Sequence, residues 1–360
     1  MYNRNASPGG NEGGGPAEPS AKAARLPDVA RLAGVSTATA DRVLNNRPGV
    51  RPATAQRVLK AALELAYILE SEAQAPEHKP MRLAFLLPAG TNRYLNMLGR
   101  IVADSTPQTT GHNAKCRVEH IRSFNPDLLA RTLIATARSA DGIAFMALEH
   151  PAVREAVNAL AERGVPTVTL ISDLQNSRRV AYLGLDNRAS GRTAGYLIAR
   201  FIGQREAKVA MIAGSRSYRA HEEREMGFLH LFEEMFPAIT VVGLREGRDD
   251  EAQNYRQMRA LLAQHPDLAG IYNIGGGAGG VGRALKETRR EQETVFIGHG
   301  LTPDTRALLI DGTMDAVITQ NPYRTLTGCV TIFANLRAGR DPMAGVDAPR
   351  SEIIFRENLP

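Results

Sequence analysis

Cysteine is scarce in this chain: Cys116 and Cys329 are the only two in 360 residues. Two thiols so far apart in sequence fit a reducing cytoplasm better than a disulfide framework. There is no C-x-x-C and no pair of histidines at helical ligand spacing, so no structural metal is expected, and no cofactor either. No run of about 18 apolar residues exists, so no transmembrane helix and no membrane partner are expected. The first twenty residues, MYNRNASPGGNEGGGPAEPS, lack the apolar centre of a secretory signal. Residues 1–24 read as a disordered, Gly- and Pro-rich leader. No G-x-S-x-G or other nucleophile motif is found. What remains is the composition of a soluble globular protein, 43% hydrophobic and 23% charged, long enough for two or three domains.

The formal net charge is +6, and it is unevenly spread. Between Ala21 and Ile68 lie Lys22, Arg25, Arg31, Arg42, Arg47, Arg51, Arg57 and Lys60, against Asp28, Asp41 and Glu64. Eight bases against three acids leave an excess of five in that segment, and about one unit for all the rest. A small basic module on a near-neutral body points to a polyanion partner for the module alone. Charge by itself fits a solvated basic face equally well.

Residues 26–68 read as three short helices. LPDVARLAG has Pro27 near its start, apolar Val29, Ala30, Leu32 and Ala33, and a stop at Gly34. Ser36 caps a second helix, TATADRVLN. Asn46, Pro48 and Gly49 form the next break. A third helix runs from about Pro52 to Tyr67, with Val58, Ala62, Leu63, Leu65 and Ala66 spaced for a buried face. Two helices joined at Gly34-Val35-Ser36 match a helix-turn-helix, whose second helix enters the major groove of DNA. An ordinary three-helix bundle is the alternative. The concentrated charge, Gly34 at the turn and Arg42 on the second helix favour DNA. Residues 69–80, LESEAQAPEHKP, are polar with two prolines and read as a linker.

From Met81 strands alternate with helices. The expected strands are MRLAFLLP, DGIAFMAL, VPTVTLIS, VAYLGLD, KVAMIAG, ITVVGL, AGIYNIG, TVFIGHG and MDAVITQ. Helices are expected over 151–163, 187–203, 222–236, 251–264, 279–290 and 303–311. About nine β/α units exceed one convenient sheet. Two doubly wound lobes, with a cleft at the carboxyl ends of their strands, are the natural solution.

DVARLAGVSTATADRVLNNRPGVRPATAQRVLKAALELAY resembles the DNA-binding headpiece of the lactose-repressor (LacI) family of transcription factors. GVPTVTL, YLGLDNRASGRTAGYL, EEREMGF and GTMDAVITQNP resemble that family's effector core, which shares the periplasmic sugar-binding fold. The resemblance implies an α/β chain: a helix-turn-helix headpiece over 25–68, then a bilobal core over 81–360. One lobe would hold about 81–184 plus 318–342, the other 185–317 plus 343–360. It implies a cytoplasmic homodimer on a near-palindromic operator of double-stranded DNA, controlled by a sugar, polyol or sugar-acid effector.

By position, the resemblance puts Thr37, Ala38 and Arg42 at base edges. The Arg42 guanidinium suits guanine O6 and N7 together, and Ala38 offers only a methyl. Ser36, Thr39 and Asn45 match phosphate-facing positions. Asp41 departs from the common serine. It is left with three roles: accepting from cytosine N4, pairing with Arg42, or repelling phosphate. The hinge departs further. Where family members carry a minor-groove helix with a leucine wedge, Tyr67 is followed by ILESEAQAPEHKP, with Glu70, Glu72 and Glu77. Little hinge insertion and little DNA bending are expected.

For the cleft, the resemblance implies Asn92, Arg93 and Tyr94 after the first core strand, Ser172 and Asp173, Arg224 of R-x-x-G-F, Asn273, and Gln320. Each has a plainer role available. Asn92 caps a helix, Tyr94 fills the core, Arg93 is surface, and Asp173 pairs with Arg178 or Arg179. Sugar binders of this type carry an acid just after the strand equivalent to TVFIG, where this chain reads GHGLTP. His299 is then either an effector contact or structural, and an acidic or phosphorylated sugar derivative comes into view.

The segment IYNIGGGAGGVGRAL raises a competing reading, because it holds two overlapping G-x-G-x-x-G patterns between Gly275 and Gly282. On that reading the chain is a nicotinamide-dependent oxidoreductase. Against it, the next strand ends at Gly298-His299-Gly300, without the acid that would hold a ribose hydroxyl. The turn also lies deep in the chain with no nearby catalytic pair. The glycines then serve a cleft wall, letting backbone approach a small ligand.

Overall fold

The computed structural model describes residues 24–44, 47, 49–65, 67, 79–121, 124–203 and 206–360. The expectations for the leader through residue 23, for Asn45 and for the hinge from residue 68 to 78 fall outside these. The chain divides into two compact units at the His78–Lys79 boundary.

The first unit holds α1 (Leu26–Ala33), α2 (Thr37–Leu44) and α3 (Pro52–Glu64). Pro27 opens α1, and Gly34 ends it at φ 65°, the left-handed conformation that glycine adopts without Cβ strain. Ser36 then starts α2: its Oγ accepts the Thr39 amide at 3.2 Å and pairs with the Thr39 hydroxyl at 2.9 Å. Val29, Ala30, Ala33, Ala40, Val43, Val58, Ala61 and Ala62 form a small buried core. The third helix stops at Glu64, three residues before the expected Tyr67.

The second unit has two sheets. The first joins β1 (Met81–Pro88), β2 (Ala114–Ile121), β3 (Gly142–Phe145), β4 (Thr167–Leu170) and β5 (Ala181–Leu183) in the order β2-β1-β3-β4-β5, all parallel. The second joins β6 (Ala207–Ala213), β7 (Ile239–Glu246), β8 (Leu268–Asn273), β9 (Val295–His299), β10 (Ala316–Thr319) and β11 (Glu352–Ile354) in the order β11-β10-β9-β8-β6-β7. Only β11 runs antiparallel, pairing Val317 with Ile354.

Helices cover both lobes. The first carries α4 (Arg93–Ala103), the short α5 (Pro107–Thr110), α6 (Pro126–Thr136) and α7 (Pro151–Glu162). The second carries α8 (Asn187–Ile202), α9 (Arg219–Met235), α10 (Glu251–Gln264), α11 (Ala278–Glu287) and α12 (Pro303–Ile310). Helix α13 (Pro322–Arg337) returns to the first lobe, burying Leu326, Cys329, Val330, Ile332 and Phe333 in its core. The lobe boundary expected at 318 is corrected here. All of β10 pairs with the second sheet, so the crossing follows Thr319. The expected boundary cuts through MDAVITQ, whereas β10 is held whole between β9 and β11.

Glycine sets the helix spacing of the second lobe. A Cβ on Gly191 would strike the Arg224 carbonyl, and one on Gly227 the Arg188 carbonyl, so α8 and α9 cross at backbone contact. Gly280 lies in the same way against the Glu251 carbonyl, joining α11 to α10.

Candidate functional site

On the headpiece, α2 buries Ala40 and Val43 and leaves Ser36, Thr37, Ala38 and Arg42 exposed, with Thr39 and Asp41 partly so. Residues 38 and 42, one turn apart, share a face with their neighbours 37 and 41. That face carries the Thr37 hydroxyl, the Ala38 methyl, the Asp41 carboxylate and the Arg42 guanidinium, a set able to meet base edges. Asp41 pairs with Arg47 at 3.1 Å. The ion pair draws a basic residue from beyond α2 back onto its exposed side. Ser36 and Thr39 bond each other as the helix cap, so a phosphate role for either would be additional to that one.

In the second unit the carboxyl ends of both sheets face a cleft of about 750 Å³, its open mouth included. Asn92, Arg93, Tyr94, Arg224, His299 and Gln320 line it. Ser172, Asp173 and Asn273 do not, and those three expectations are corrected. Ser172 is fully buried, its Oγ accepting from the Ala220 amide at 3.4 Å. The Asp173 carboxylate chelates Arg179, at 2.5 Å to both Nε and Nη2, and accepts from Thr169 at 2.7 Å. Those hydrogen bonds outweigh burial and hold its carboxyl below the ordinary range. Asn273 braces the glycine turn instead: Nδ2 donates to the carbonyls of Gly275 and Gly276 at 2.9 and 3.0 Å, and Oδ1 accepts from Asn254 at 3.2 Å.

The turn itself does line the cleft through Gly275, Gly276 and Gly277. Yet its amide is engaged by the protein. Asp249 Oδ1 accepts from Gly276 N at 2.6 Å, and a Cβ on Gly275 or Gly214 would overlap that carboxylate. The seat a pyrophosphate would need in the oxidoreductase reading holds the chain's own anion. Asp249 also ties the lobes together. Its Oδ2 accepts from Asn92 Nδ2 at 3.0 Å, and its carbonyl from the Thr91 hydroxyl at 2.8 Å. Asn92 thus both caps α4, accepting from Leu95 N at 3.2 Å, and reaches across the cleft. Arg93 does likewise, facing Glu251 at 3.6 Å and pairing with Asp304.

Arg224 forms the floor. It is 6% exposed. Its Nε donates to Asn187 Oδ1 and its Nη1 to the Ile274 carbonyl, both at 2.9 Å. Burial holds the guanidinium below its ordinary pKa. Asn187 passes the link on, Nδ2 reaching the Tyr182 hydroxyl at 3.0 Å and the Ile171 carbonyl at 3.4 Å. Ile171, also in the lining, has φ 64°. A β-branched residue there is strained by about 1–3 kcal/mol. The turn is tight: Ser172 N donates to the Leu170 carbonyl at 2.5 Å.

Two histidines flank this floor. His299 keeps a partly exposed edge at the wall, yet the protein around it, then Arg224 and His221, hold it well below the ordinary 6.5. Its Nε2 meets the Tyr272 hydroxyl at 2.6 Å. His221 is lowered by burial too, although Asp249 opposes the shift. Tyr94, pushed up to about 12 by burial, donates to the Gln320 carbonyl at 3.3 Å. The Gln320 side-chain Oε1 is buried without a partner among the described residues. Met146, Ile171, Leu185 and Ile318 give the lining an apolar side.

His221, Asp249, Asn187 and Thr91 were not singled out from sequence. Asn187 stands in the family-like YLGLDNRASG and was open to notice. Asp249 has no local signal: its place depends on a left-handed backbone, φ 58°, in the GRDDE loop.

Comparison with known proteins agrees with both units. The model of bacterial regulatory proteins of the lacI family matches residues 25–69, and the periplasmic binding protein domain matches residues 130–341. The ribose operon repressor of Halalkalibacterium halodurans is 29% identical over 251 residues, 68% of this chain and 70% of that protein. An HTH-type transcriptional regulator encoded in the aml 5′ region of Streptomyces limosus is 26% identical over 355 residues, 96% of this chain and 94% of its own. Among solved structures, GanP, a glucose-galactose binding protein from Geobacillus stearothermophilus, superposes with a TM-score of 0.69 at 27% identity, covering 78% of this chain and 99% of its own.

Proposed function

The chain belongs to the lacI family of bacterial regulatory proteins, its body a periplasmic binding protein domain, and from that premise we propose that it is a DNA-binding transcriptional repressor controlled by a sugar-like effector. The headpiece presents α2 to the major groove, with Arg42 as the principal base contact and Thr37 and Ala38 beside it. Two headpieces on a near-palindromic site require two chains, so the working unit is a homodimer. The effector closes the two lobes on itself and shifts the chain between states of different operator affinity. Effector contacts are assigned to Asn92, Tyr94, Arg224, His299 and Gln320.

The observation that carries the effector half is Gln320 Oε1, a buried acceptor on the cleft wall with no partner among the described residues. Buried acceptors are satisfied in nearly all folded proteins, and a ligand hydroxyl satisfies this one. The names of the relatives support the same reading, since a ribose operon repressor and a glucose-galactose binding protein are among them. The test is operator binding measured with the full chain and with residues 79–360 alone, on a duplex selected from a random library. The full chain is expected to bind tightly and the core not at all. Equal binding by the core would remove the headpiece from the account.

A further inference from the structure

Asp41 is the only acid in α2, and the sequence leaves three roles open for it. Alone among base-reading groups, a carboxylate would repel the phosphates that the helix must pass. The fold gives it a basic partner. Arg47 Nη1 donates to Asp41 Oδ2 at 3.1 Å. The backbone makes a parallel connection. The Arg47 amide donates to the Arg42 carbonyl at 2.7 Å, which brings the chain beyond α2 back onto the last turn of the helix. Arg42 leans on the same segment. Its Nη1 lies 3.4 Å from where a Cβ on Gly49 would stand, and Gly49 holds φ 102°, a conformation that favours glycine. Both guanidiniums thus belong to one surface at the end of α2. The Arg47 side chain is 63% exposed and Asp41 36%, so the pair anchors the arginine without hiding it. The contact uses Nη1 and leaves the side-on fork of Nε and Nη2 pointing elsewhere, a fork that suits guanine O6 and N7 together. An exposed ion pair adds little to stability. What it supplies is presentation, since a tethered guanidinium loses less freedom on meeting a base than an untethered one.

We infer that Asp41 is a positioning residue for Arg47, and that Arg47 is a second base-reading arginine beside Arg42, each taking a guanine of the operator. This rests on the DNA-binding reading above and deepens it. The Asp41 carboxylate accepts from the arginine rather than from cytosine N4, and the pairing offsets its repulsion of phosphate. Each half-site then holds two G·C pairs read by arginine, one from α2 and one from the turn that follows it.

The test uses the full chain and a duplex selected from a random library, together with every single-base-pair variant of that duplex. Dissociation constants are measured by fluorescence anisotropy at several salt concentrations for wild type, Asp41→Ala, Arg47→Ala, Arg47→Lys and the double variant with alanine at both positions. Arg47→Ala is expected to weaken binding of the selected duplex at least about 5-fold and to flatten the preference for one G·C pair. That pair is distinct from the one flattened by Arg42→Ala. Asp41→Ala is expected to flatten the same pair as Arg47→Ala. The double variant should fall no further than Arg47→Ala alone, because the carboxylate acts only through the arginine. Arg47→Lys is expected to keep the salt dependence and lose the base preference, since an ammonium lacks the fork. Uniform weakening by Arg47→Ala with a salt slope smaller by about one marks a phosphate contact and overturns the inference. So does tighter binding of all sequences by Asp41→Ala, a base pair that Asp41→Ala alters and Arg47→Ala does not, or no change from either. Where a variant fails to fold, the wild-type chain decides: a half-site with fewer than two strongly preferred G·C pairs overturns the inference. A chain that selects no duplex defeats the proposed function and the inference with it. A selected duplex indifferent to both residues defeats the inference alone.

Discussion

Gln320 and Arg224 line the same cleft, one with an acceptor and the other with donors. Replacing Gln320 by leucine removes the orphan oxygen at similar volume. Unliganded stability is expected to stay level or rise, while effector affinity falls by the worth of one hydrogen bond, about 0.5–1.5 kcal/mol. Thermal melts and calorimetry of the variant read the two effects separately; a variant that loses stability yet binds effector normally contradicts the assignment. The histidines make a second prediction. His299, His221 and His112 all titrate below the ordinary 6.5 in the fold, chiefly through burial. Each therefore binds fewer protons folded than unfolded once pH drops below that value, so stability is complete above it and is lost on acidification. The depressed carboxyls of Asp141 and Asp173 act only in a more acidic window, around and below their ordinary 3.8. The melting temperature is expected to fall between about pH 7 and 5, before those carboxyls protonate. A flat profile there contradicts the neutral-histidine floor.

At the scale of elements, apolar runs and punctuation were enough to place most of the fold. MRLAFLLP, KVAMIAG and AGIYNIG are buried strands almost as read, and the helix over 251–264 matches its expected limits. What escaped was edge and context. Strand β2, AKCRVEHI, is charged and only partly buried because it closes one side of its sheet, so no apolar run marks it. Strand β11 is three residues long and antiparallel. Helix α13 carries its apolar face into a lobe that its neighbours in sequence do not belong to. The cleft was half legible for a related reason. Arg224 and Gln320 belong to motifs, whereas Asp173 and Asn273 stand at strand ends but turn to local partners. The glycines of IYNIGGGAGGVGRAL also changed meaning, serving the Asp249 carboxylate and the α10–α11 contact. Gly227→Ala, which sets a Cβ against the Arg188 carbonyl, is expected to cost about 1–3 kcal/mol through overpacking. Its melting temperature should drop by about 2–4 °C per kcal/mol, and an unchanged melt contradicts the backbone contact. On α2, Arg42→Ala is expected to weaken operator binding by about 1–3 kcal/mol and to relax selectivity at one base pair. Uniform weakening across sequences would instead mark Arg42 as a phosphate contact.

At the scale of the whole molecule, a basic three-helix unit and a two-lobed core are joined in one chain, and the account requires that they communicate. The core already holds the means. Thr91 and Asn92 from the first lobe grip Asp249 of the second, and Arg224 connects through Asn187 to the strained turn at Ile171. On the proposed function, a ligand at the floor is expected to act on both links at once, which is the property a two-state regulator needs. The measurement that tests this most directly is the operator dissociation constant of the full chain, with and without saturating effector, by fluorescence anisotropy at fixed salt. The account predicts a change of about 5- to 150-fold, abolished when Gln320 and Arg224 are both replaced. An operator affinity that no cleft ligand alters would contradict it.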